Sequence, residues 1–314
     1  MSTAMSLGED RASAIELALD ALRSRGPPVE EALPFRSALE ADVRAGTALG
    51  VLLKDGDRPV AIAIWDPPSA LGAMVTIAHR RAGAQSAAGY RELYAAIAER
   101  AGPISFAPGG HAGLSDEAEA ALMESLGFGR FGRSEMRFPP NAPTPPFSEP
   151  APARLRSART HDALALARMH VRAYTDHFDR YLFLTDLDPT VDASHDVAEL
   201  LAGRWGEFLP WASPVAEEPD ALVGAVLVVR APYGALIADV MVDPAHRRRG
   251  LGRSLLVESI HRLRERGETS IVLNVTEGNG SAIRLYERLG FVRSLGPSHG
   301  WYSRKQIPVS PGRD

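Results

Sequence analysis

Cysteine is absent from this chain of 314 residues. Its absence excludes disulfide bridges, thiol nucleophiles and cysteine-ligated metal sites, and it is typical of a cytoplasmic protein. No apolar run reaches the roughly 20 residues that are needed to cross a bilayer, and the first ten residues lack the basic and apolar stretches of a secretory signal. We therefore expect a cytoplasmic protein with no membrane partner and no bound metal.

A large excess of charge of one sign is also missing. The 35 lysines and arginines nearly balance the 39 aspartates and glutamates, and the formal net charge is -4. Because no overall basic field is present, we expect no nucleic-acid partner. The content of 45% hydrophobic and 24% charged residues is that of an ordinary globular protein. The length suggests about two domains, each able to bury its own core.

Proline is concentrated in one segment of the chain. Seven of the fourteen residues from Pro139 to Pro152 are proline. Because proline lacks a backbone N–H and fixes φ, this segment cannot enter a helix or a central strand, and we predict an extended, semi-rigid linker over residues 139–152. It separates a first domain over residues 1–138 from a second domain over residues 153–314.

The two halves resemble each other at one constant offset, which places Gly127 on Gly290. At this offset, residues 57–64 match 220–227, Gly89 matches Gly252, and residues 122–128 match 285–291. Several matches at one offset predict an internal duplication. Chance similarity between small α/β units remains the alternative explanation.

Strands and helices alternate in the second half. The predicted helices are Thr160–Tyr174, Val197–Phe208, Leu251–Arg266 and Ser281–Leu289, and the predicted strands are Ala221–Val229, Ala235–Val242 and Ser270–Val275. Gly267 is a typical residue just beyond a helix C-terminus. Two strands close together in the sequence, followed by alternating helices and strands, predict a mixed sheet with helices packed on it.

An arginine- and glycine-rich turn follows the strand that ends at Val242. Pro244 stops that strand, and Gly250 and Gly252 let the backbone turn tightly and approach a ligand. The first N–H groups of the next helix have no intrahelical partner, and with the helix dipole they suit a pyrophosphate. Residues 244–266 contain seven arginines and two glutamates, so the region is locally basic. A solvated turn that binds nothing would show the same pattern.

Two motifs in this half resemble those of the GNAT superfamily of N-acetyltransferases. Residues 242–252, with the pattern V-x-P-x-x-R-x-x-G-x-G, resemble its acetyl-coenzyme A signature. Residues 273–291, which include N-x-x-A-x-x-L-Y-x-x-x-G-F, resemble its second signature. The resemblance covers roughly residues 153–308. It implies an α/β fold of the mixed α+β kind, with two tandem GNAT-like domains, each a mixed, centrally splayed β-sheet flanked by helices.

The resemblance also implies an acetyl-coenzyme A-dependent N-acyltransferase and the residues that bind this co-substrate. In the superfamily two parallel strands splay apart, and the pantetheine arm lies between them like an added strand. Carried over, the backbone of Met241 and Val242 would bind the arm, Asn279 would bind near the thiol, and Ala282 would leave room. The pyrophosphate would lie on the turn and helix start, at Arg247, Arg248, Arg249, Gly250, Leu251, Gly252, Arg253 and Ser254.

Tyr286 lies at the position of the superfamily's general acid. Acetyl transfer to an amine expels the coenzyme A thiolate, which a phenol within reach can protonate. Tyr286 would also contribute to coenzyme binding. It belongs to a helical stripe with Ala282, Leu285 and Leu289, however, so a purely packing role is the alternative.

The acceptor amine must be neutral to attack, so a general base or a water chain is needed to remove its proton. Our first choice is Asp239, because it lies on the strand that would present the coenzyme. A structural aspartate is an equal alternative at this position. Glu207 and His177 are weaker candidates, and His299 is a candidate to line the acceptor site.

The predicted partner is a small-molecule amine. Residues 174–218 correspond to the superfamily's acceptor region and combine ten acidic with seven aromatic residues. This combination suits a cationic amine through charge and cation–π attraction, although a solvated acidic loop over core aromatics fits as well. The oligomeric state is left open between a monomer and a homodimer.

The first half departs from the superfamily pattern. At the offset that relates the two halves, Met123 stands in place of Tyr286 and Asp116 in place of Asn279. The arginine–glycine turn has no counterpart there either. We therefore predict a degenerate GNAT-like domain with a structural role. Two alternatives for the whole chain remain: a non-catalytic acetyl-coenzyme A sensor and a protein N-acetyltransferase.

Overall fold

The computed structural model describes residues 2–25, 41–65, 73–147, 153–175, 194, 197–203, 206–219, 221–231, 234–294 and 298–303. The chain divides into two compact units. The first unit comprises the residues up to Phe131 together with those from His299 onward, and the second comprises Gly132–Ser298. Within the described ranges, no helix is both long and apolar enough to cross a membrane.

Strands and helices alternate along most of the described chain. In order they are β1 (Thr3–Ser6), α1 (Arg11–Arg25), β2 (Leu49–Asp55), β3 (Arg58–Trp65), β4 (Ala73–Arg80), α2 (Ala87–Ala101), β5 (Ile104–Pro108), α3 (Asp116–Ser125), β6 (Phe128–Phe138), β7 (Arg154–Ser157), α4 (Ala163–Tyr174), β8 (Glu207–Phe208), β9 (Pro214–Glu218), β10 (Ala221–Ala231), β11 (Gly234–Val242), α5 (Leu251–Glu265), β12 (Ile271–Thr276), α6 (Gly280–Leu289), β13 (Val292–Arg293) and β14 (Ser298–Ser303). Residues 41–45 and 197–201 are also helical.

Each unit contains a mixed sheet. In the first unit the strand order is β1-β2-β3-β4-β5-β14, and β4 and β5 are the parallel pair. In the second unit the order is β6-β12-β11-β10-β9-β7, and β11 and β12 are the parallel pair. The prediction of two mixed sheets flanked by helices is therefore confirmed.

The two units repeat one order of elements, strand–strand–strand–helix–strand–helix. Helix α2 begins at Ala87 and α5 at Leu251, while α3 begins at Asp116 and α6 at Gly280. The separation along the chain between the starts of α2 and α5 equals that between the starts of α3 and α6. It is close to the offset seen in the sequence. The repeated architecture favours an internal duplication over chance similarity.

Each unit also contains a strand from the other half of the sequence. Strand β14 pairs with β5 in the first unit, where Trp301 lies opposite Ala107. Residues 133–138 of β6 pair with β12 in the second unit. The compact units change at 131/132 and at 298/299. These changes do not coincide with the domain limits predicted at residues 138 and 153, which stay a prediction.

Apolar side chains cover both faces of the second sheet. On one face, helix α5 buries Leu255, Leu256 and Ile260 completely. On the other face, α4 buries Leu166 and Met169 completely. Each such side chain contributes roughly 1.5–3 kcal/mol through its removal from water. Both faces of β11 are thereby fixed, which determines where its side chains point.

Strands β11 and β12 pair over only three residues and then part. Their last pair is Ile237 with Leu273, although β11 continues to Val242 and β12 to Thr276. The ladder between β10 and β11 is irregular at this level, where Ala238 is an extra residue. Such a bulge bends a strand and re-aims the side chains beyond it. It accounts for an open gap between the two strands.

The helix predicted over Val197–Phe208 is wrong in its second part. The helical residues end at 201, and Gly203 follows with a φ of 84°. Glu207–Phe208 instead forms a short strand on β10. Gly206 permits this pairing, because a Cβ there would lie 2.4 Å from the Arg230 carbonyl oxygen. Close backbone approach overrides the local helical pattern.

The described part of the proline-rich segment, residues 139–147, contains neither helix nor strand. It lies along α5, where Arg264 donates to the Pro139 carbonyl at 2.5 Å. His261 contacts the Pro145 carbonyl at 2.9 Å, and its ring stacks on Phe147 with the centroids 4.1 Å apart. The segment thus packs against α5 through several contacts.

Gly234 provides a test of the contact that starts the β11–β12 pairing. A Cβ at this residue would lie 2.6 Å from the Ser270 carbonyl oxygen, which already accepts from Ala235 N–H at 2.9 Å. With a φ of 126°, Gly234→Ala adds a clash to backbone strain. We expect it to lower the free energy of unfolding by about 2–4 kcal/mol in urea denaturation.

Gly267→Ala is the matched control for this variant. Gly267 also has a positive φ, 79°, but a Cβ there would meet nothing within 4 Å. We expect a loss of only about 1 kcal/mol from backbone strain alone. Equal losses in the two variants would show that the close approach to Ser270 is unimportant.

Candidate active site

A cavity of about 610 Å³ opens in the second unit where β11 and β12 part. Its walls come from β11, β12, the turn before α5, the start of α5, and α6. Ile237 and Leu273, the last paired residues, lie at its base, and Tyr174 at the end of α4 also lines it. The parting of the strands therefore creates the cavity.

The arginine–glycine turn forms one wall of the cavity. After a single 3-10 turn over Pro244–His246, Arg248 adopts a φ of 60° and Gly250 a φ of 81°. A left-handed backbone is costly for a residue with a side chain, so the surrounding structure must hold Arg248 in this conformation. Gly250 occupies the N-cap position of α5 and has no side chain with which to cap the first turn. The N-terminal end of the helix is thereby left to interact with a ligand.

The charge of the lining is strongly positive. Five arginines line the cavity, and Asp239 is the only carboxylate among the lining residues described. The arginines are Arg133, Arg247, Arg248, Arg253 and Arg288. A concave surface with this imbalance attracts anions. Groups of three or more residues able to hold a metal ion do not occur in the described ranges.

The predicted site residues fall into two groups. Those that line the cavity are Asp239, Val242, Arg247, Arg248, Gly250, Leu251, Gly252, Arg253, Asn279, Ala282 and Tyr286. Met241, Arg249 and Ser254 are not among the lining residues. Met241 is fully buried in the core beneath α4, and Ser254 is buried within α5. Their assignment to coenzyme binding remains a prediction.

Arg247 holds two elements of the second unit together. Its guanidinium donates to the Ala173 carbonyl at 2.6 Å and to the Val242 carbonyl at 3.3 Å. It therefore joins the end of α4 to the end of β11. Arg253 donates to the Pro146 carbonyl at 2.9 Å, so the proline-rich segment holds an arginine of the cavity wall.

Asn279 caps helix α6. Its Oδ1 accepts from the Ala282 N–H at 3.1 Å and from the Ser281 hydroxyl at 3.1 Å. Substitution of such a cap costs roughly 1 kcal/mol of stability. The residue therefore fixes the direction of α6, which carries Tyr286.

Tyr286 both packs and faces the cavity. Its ring lies 6.0 Å from that of Phe291, and the residue is 7% exposed. It also lines the cavity, next to Ala282 and Leu285 on the same helix. Tyr286 therefore packs in the core, and it also lies where the predicted catalytic role requires it.

Asp239 belongs to a buried polar cluster on the α4 side of β11. Its Oδ1 accepts from the Tyr174 hydroxyl at 2.8 Å, and its Oδ2 lies 3.6 Å from His170 Nε2. Burial raises the pKa of Asp239 above its ordinary value, while His170 and the Tyr174 hydroxyl oppose this rise. A carboxylate with a raised pKa at a cavity wall is a typical proton acceptor.

Arg133 and Thr276 also line the cavity, and neither was predicted from the sequence. Arg133 comes from β6 and lies opposite Thr276 of β12. The site receives Arg133 because β6 pairs with a strand that lies much further along the chain. No local motif marks either residue, so only knowledge of this pairing could have found them.

The acidic acceptor region is only partly described. His177 and most of its acidic residues lie outside the described residues, and so does the side chain of His299. Three described carboxylates are in ion pairs: Glu207 with Arg230, Glu217 with Arg156, and Glu218 with His246. These three do not line the cavity. They give no support to an acidic acceptor pocket.

The corresponding turn of the first unit is closed by its own side chains. Ser86 caps α2 by accepting from the Gly89 N–H at 3.1 Å. The buried Arg80 guanidinium donates to the carbonyls of Ala84 at 2.8 Å and Gly89 at 2.6 Å. A Cβ on Gly89 would lie 2.6 Å from Arg80 Cζ. A cation and a capped helix occupy this turn, in contrast to the uncapped turn of the second unit.

Comparison with known proteins agrees with this geometry. Residues 172–291 match the model of the acetyltransferase (GNAT) family. The chain is 32% identical over 211 residues to the mycothiol acetyltransferase of Thermomonospora curvata, a match that covers 65% of each protein. It is 38% identical over 80 residues to the ribosomal protein bS18-alanine N-acetyltransferase of Escherichia coli K12, covering 26% of this chain and 50% of that protein.

The matched regions thus span less than two thirds of these relatives' own lengths. Among solved structures, a tandem GNAT protein from the clavulanic acid biosynthesis pathway aligns with a TM-score of 0.55. The alignment covers 100% of this chain and 99% of that one at 16% identity, so it supports the fold. Residues 172–291 therefore form a domain of the acetyltransferase (GNAT) family, and the chain as a whole shares the fold of a tandem GNAT protein.

Proposed function

We propose that this chain is an acetyl-coenzyme A-dependent N-acetyltransferase that acts on a primary amine of a small molecule. One observation carries the proposal. The cavity between β11 and β12 is lined by an uncapped, arginine-rich helix start, by Tyr286 and by Asp239. An anion site, a proton donor and a proton acceptor therefore share one enclosure.

The positive charge of the cavity and the open strand edges around it support coenzyme A as its ligand. The turn from Arg248 to Arg253 would hold the pyrophosphate through backbone N–H groups and guanidinium groups. Beyond Ile237 and Leu273, strands β11 and β12 no longer pair with each other along their facing edges. They would hydrogen-bond the pantetheine arm as an added strand does.

Bound acetyl-coenzyme A supplies an activated acetyl thioester whose thiol is the leaving group. Tyr286 carries a proton at Oη and lines the same cavity, so it would act as general acid toward the departing sulfur. Asn279 would contribute indirectly, because its cap orients the helix that carries Tyr286. Packing on Phe291 restricts the ring and favours one orientation of the hydroxyl.

Asp239 would act as general base toward the ammonium form of the acceptor. Its raised pKa brings the carboxylate closer to the range in which proton transfer is efficient. The Tyr174 hydroxyl donates to Oδ1 and leaves Oδ2 on the side of His170. Tyr174 thereby orients Asp239 within the cavity.

Two names among the relatives indicate the class of acceptor. Mycothiol acetyltransferase matches over the longer stretch and favours a small molecule. The bS18-alanine N-acetyltransferase matches over 80 residues and favours a protein α-amine as the second candidate. A non-catalytic acetyl-coenzyme A sensor would retain the phosphate turn and need neither Tyr286 nor Asp239. An amine panel with detection of released thiol separates these possibilities.

Arg248 and Arg249 form a matched pair for testing coenzyme binding. Both follow from the sequence motif, but only Arg248 lines the cavity. Loss of one charge-assisted contact to phosphate costs about 1.5–3 kcal/mol. We expect Arg248→Gln to raise the Kd for acetyl-coenzyme A at least about ten-fold in calorimetry, with a smaller rise for Arg249→Gln. A larger rise for Arg249→Gln would place the phosphates elsewhere.

Removal of the Tyr286 hydroxyl tests the general acid. We expect Tyr286→Phe to lower kcat by about 10²–10⁴-fold, because the departing thiolate loses its proton donor. Steady-state release of thiol measures this effect. The control is Tyr90→Phe, which removes a hydroxyl bonded to the Ala112 carbonyl in the first unit. Unchanged turnover in Tyr286→Phe would exclude the tyrosine from the mechanism.

The raised pKa of Asp239 also predicts how stability depends on pH. Burial makes the folded protein bind this proton more tightly than the unfolded chain, in which an aspartate titrates near 3.8. Stability contributed by this residue therefore falls as pH rises from 3.8 through the folded pKa. We expect Asp239→Asn to gain stability relative to the wild type across that window, in thermal unfolding followed as a function of pH.

Asp243→Asn is the control with the opposite sign. Burial raises the pKa of Asp243, but the Arg172 guanidinium at 2.7 Å and the Ala245 N–H outweigh it, so the folded pKa lies below 3.8. Its stabilisation is present above 3.8 and disappears as pH falls through the folded pKa. This variant should therefore lose stability relative to the wild type as pH rises. The same sign in both variants would contradict the assignment.

A further inference from the structure

The hydroxyl of Thr276 is a buried polar group without a hydrogen-bond partner among the described residues. The residue is 6% exposed and lines the cavity. A buried hydroxyl that makes no hydrogen bond costs roughly 1–3 kcal/mol. Valine would have the same shape without this cost. Because Thr276 lies on a cavity wall, a ligand bound there is the partner that would satisfy this hydroxyl.

Arg133 lies beside this hydroxyl. It is the cross-strand neighbour of Thr276, and directly opposed residues share one face of a sheet. Its Nη2 donates to the Asn274 carbonyl at 3.2 Å, which holds the guanidinium against β12. Arg133 also lines the cavity. A hydroxyl and a guanidinium side by side form a donor pair that suits a carboxylate.

The two donors lie on the face of the sheet that carries Asp239. Leu273 and Val275 point into the core beneath α5, so the alternation along β12 directs Thr276 to the opposite face. Asp239 also points to that face, where it meets Tyr174 and His170 of α4. The carboxylate stands on β11 and the donors stand on and beside β12, on the two sides of the gap.

We propose that Arg133 and Thr276 form an acceptor subsite for an anionic group, so that the acceptor is an amino acid-like molecule with an amine and a carboxylate. The ammonium group would lie at Asp239 and the carboxylate at Arg133 and Thr276. This inference rests on the proposed N-acetyltransferase function and names its substrate class. It also separates the two anion sites of the cavity, since the phosphate turn is built from α5 and the acceptor subsite from β6 and β12.

The test compares acceptors that differ in one charge. Glycine, β-alanine and 4-aminobutyrate are each measured against their carboxamides by release of thiol from acetyl-coenzyme A. For at least one length we expect the wild type to prefer the acid by about 10- to 100-fold in kcat/KM, as hydrogen bonds to a charged group imply. We expect Arg133→Gln and Thr276→Val to reduce this preference toward one.

Conservative variants and a binding measurement complete the design. Thr276→Ser restores the hydroxyl and should keep the preference, and Thr276→Val should fold as stably as the wild type because it removes a group with no partner. In the presence of coenzyme A, the preferred acid should raise the melting temperature of the wild type and not that of Arg133→Gln. This shift does not depend on turnover.

Each outcome has a separate meaning. Equal rates with acids and carboxamides, or equal losses for both in the variants, would overturn the subsite while the acetyltransferase function stands. A rise in KM for acetyl-coenzyme A alone would assign Arg133 and Thr276 to the coenzyme and overturn it as well. A thermal shift with the acid but no thiol release with any amine would keep the subsite and contradict the proposed function.

Discussion

The parting of β11 and β12 is the constraint on which the rest of the second unit depends. Two parallel strands that pair over three residues expose their facing edges, and an extra residue at Ala238 redirects β11 at that level. Both faces of β11 remain packed, by α5 on one side and α4 on the other. The sheet therefore opens without losing its core, and the open edges, the helix start and Asp239 meet around one space.

Neighbouring residues of the same type have different tasks around this space. Arg247 holds two backbone carbonyls and fixes the turn, whereas Arg248 follows it with a left-handed backbone on the cavity wall. Asn279 caps a helix and so orients Tyr286. In the first unit the same turn is closed by Ser86 and Arg80. The two units thus share one order of elements, and of the two corresponding turns described, the second unit's is the one without a side-chain cap.

Features encoded locally could be predicted from the sequence. Glycine spacing located the turn before α5, Gly267 marked the end of α5, and the helical stripe of Tyr286 located α6. The constant offset between the halves indicated two similar domains. Features that depend on distant pairing could not. Arg133 and Thr276 meet only because β6 joins β12. The prediction that a helix reaches Phe208 was wrong, because the backbone at Gly206 approaches that of Arg230. No local pattern reveals this approach. The direction of the Arg247 guanidinium is likewise set by α4 and not by its motif.

The exchanged strand β14 has a consequence for the order of folding. Trp301 is buried in the core of the first unit, and its indole N–H donates to Glu119 at 2.9 Å across a separation of 182 residues. Because Gly132–Ser298 of the second unit precede Trp301 in the chain, the core of the first unit lacks this ring until the second unit has been synthesised. This contact is highly non-local, and such contacts form slowly. The first unit is in this sense completed only after the second unit has been made.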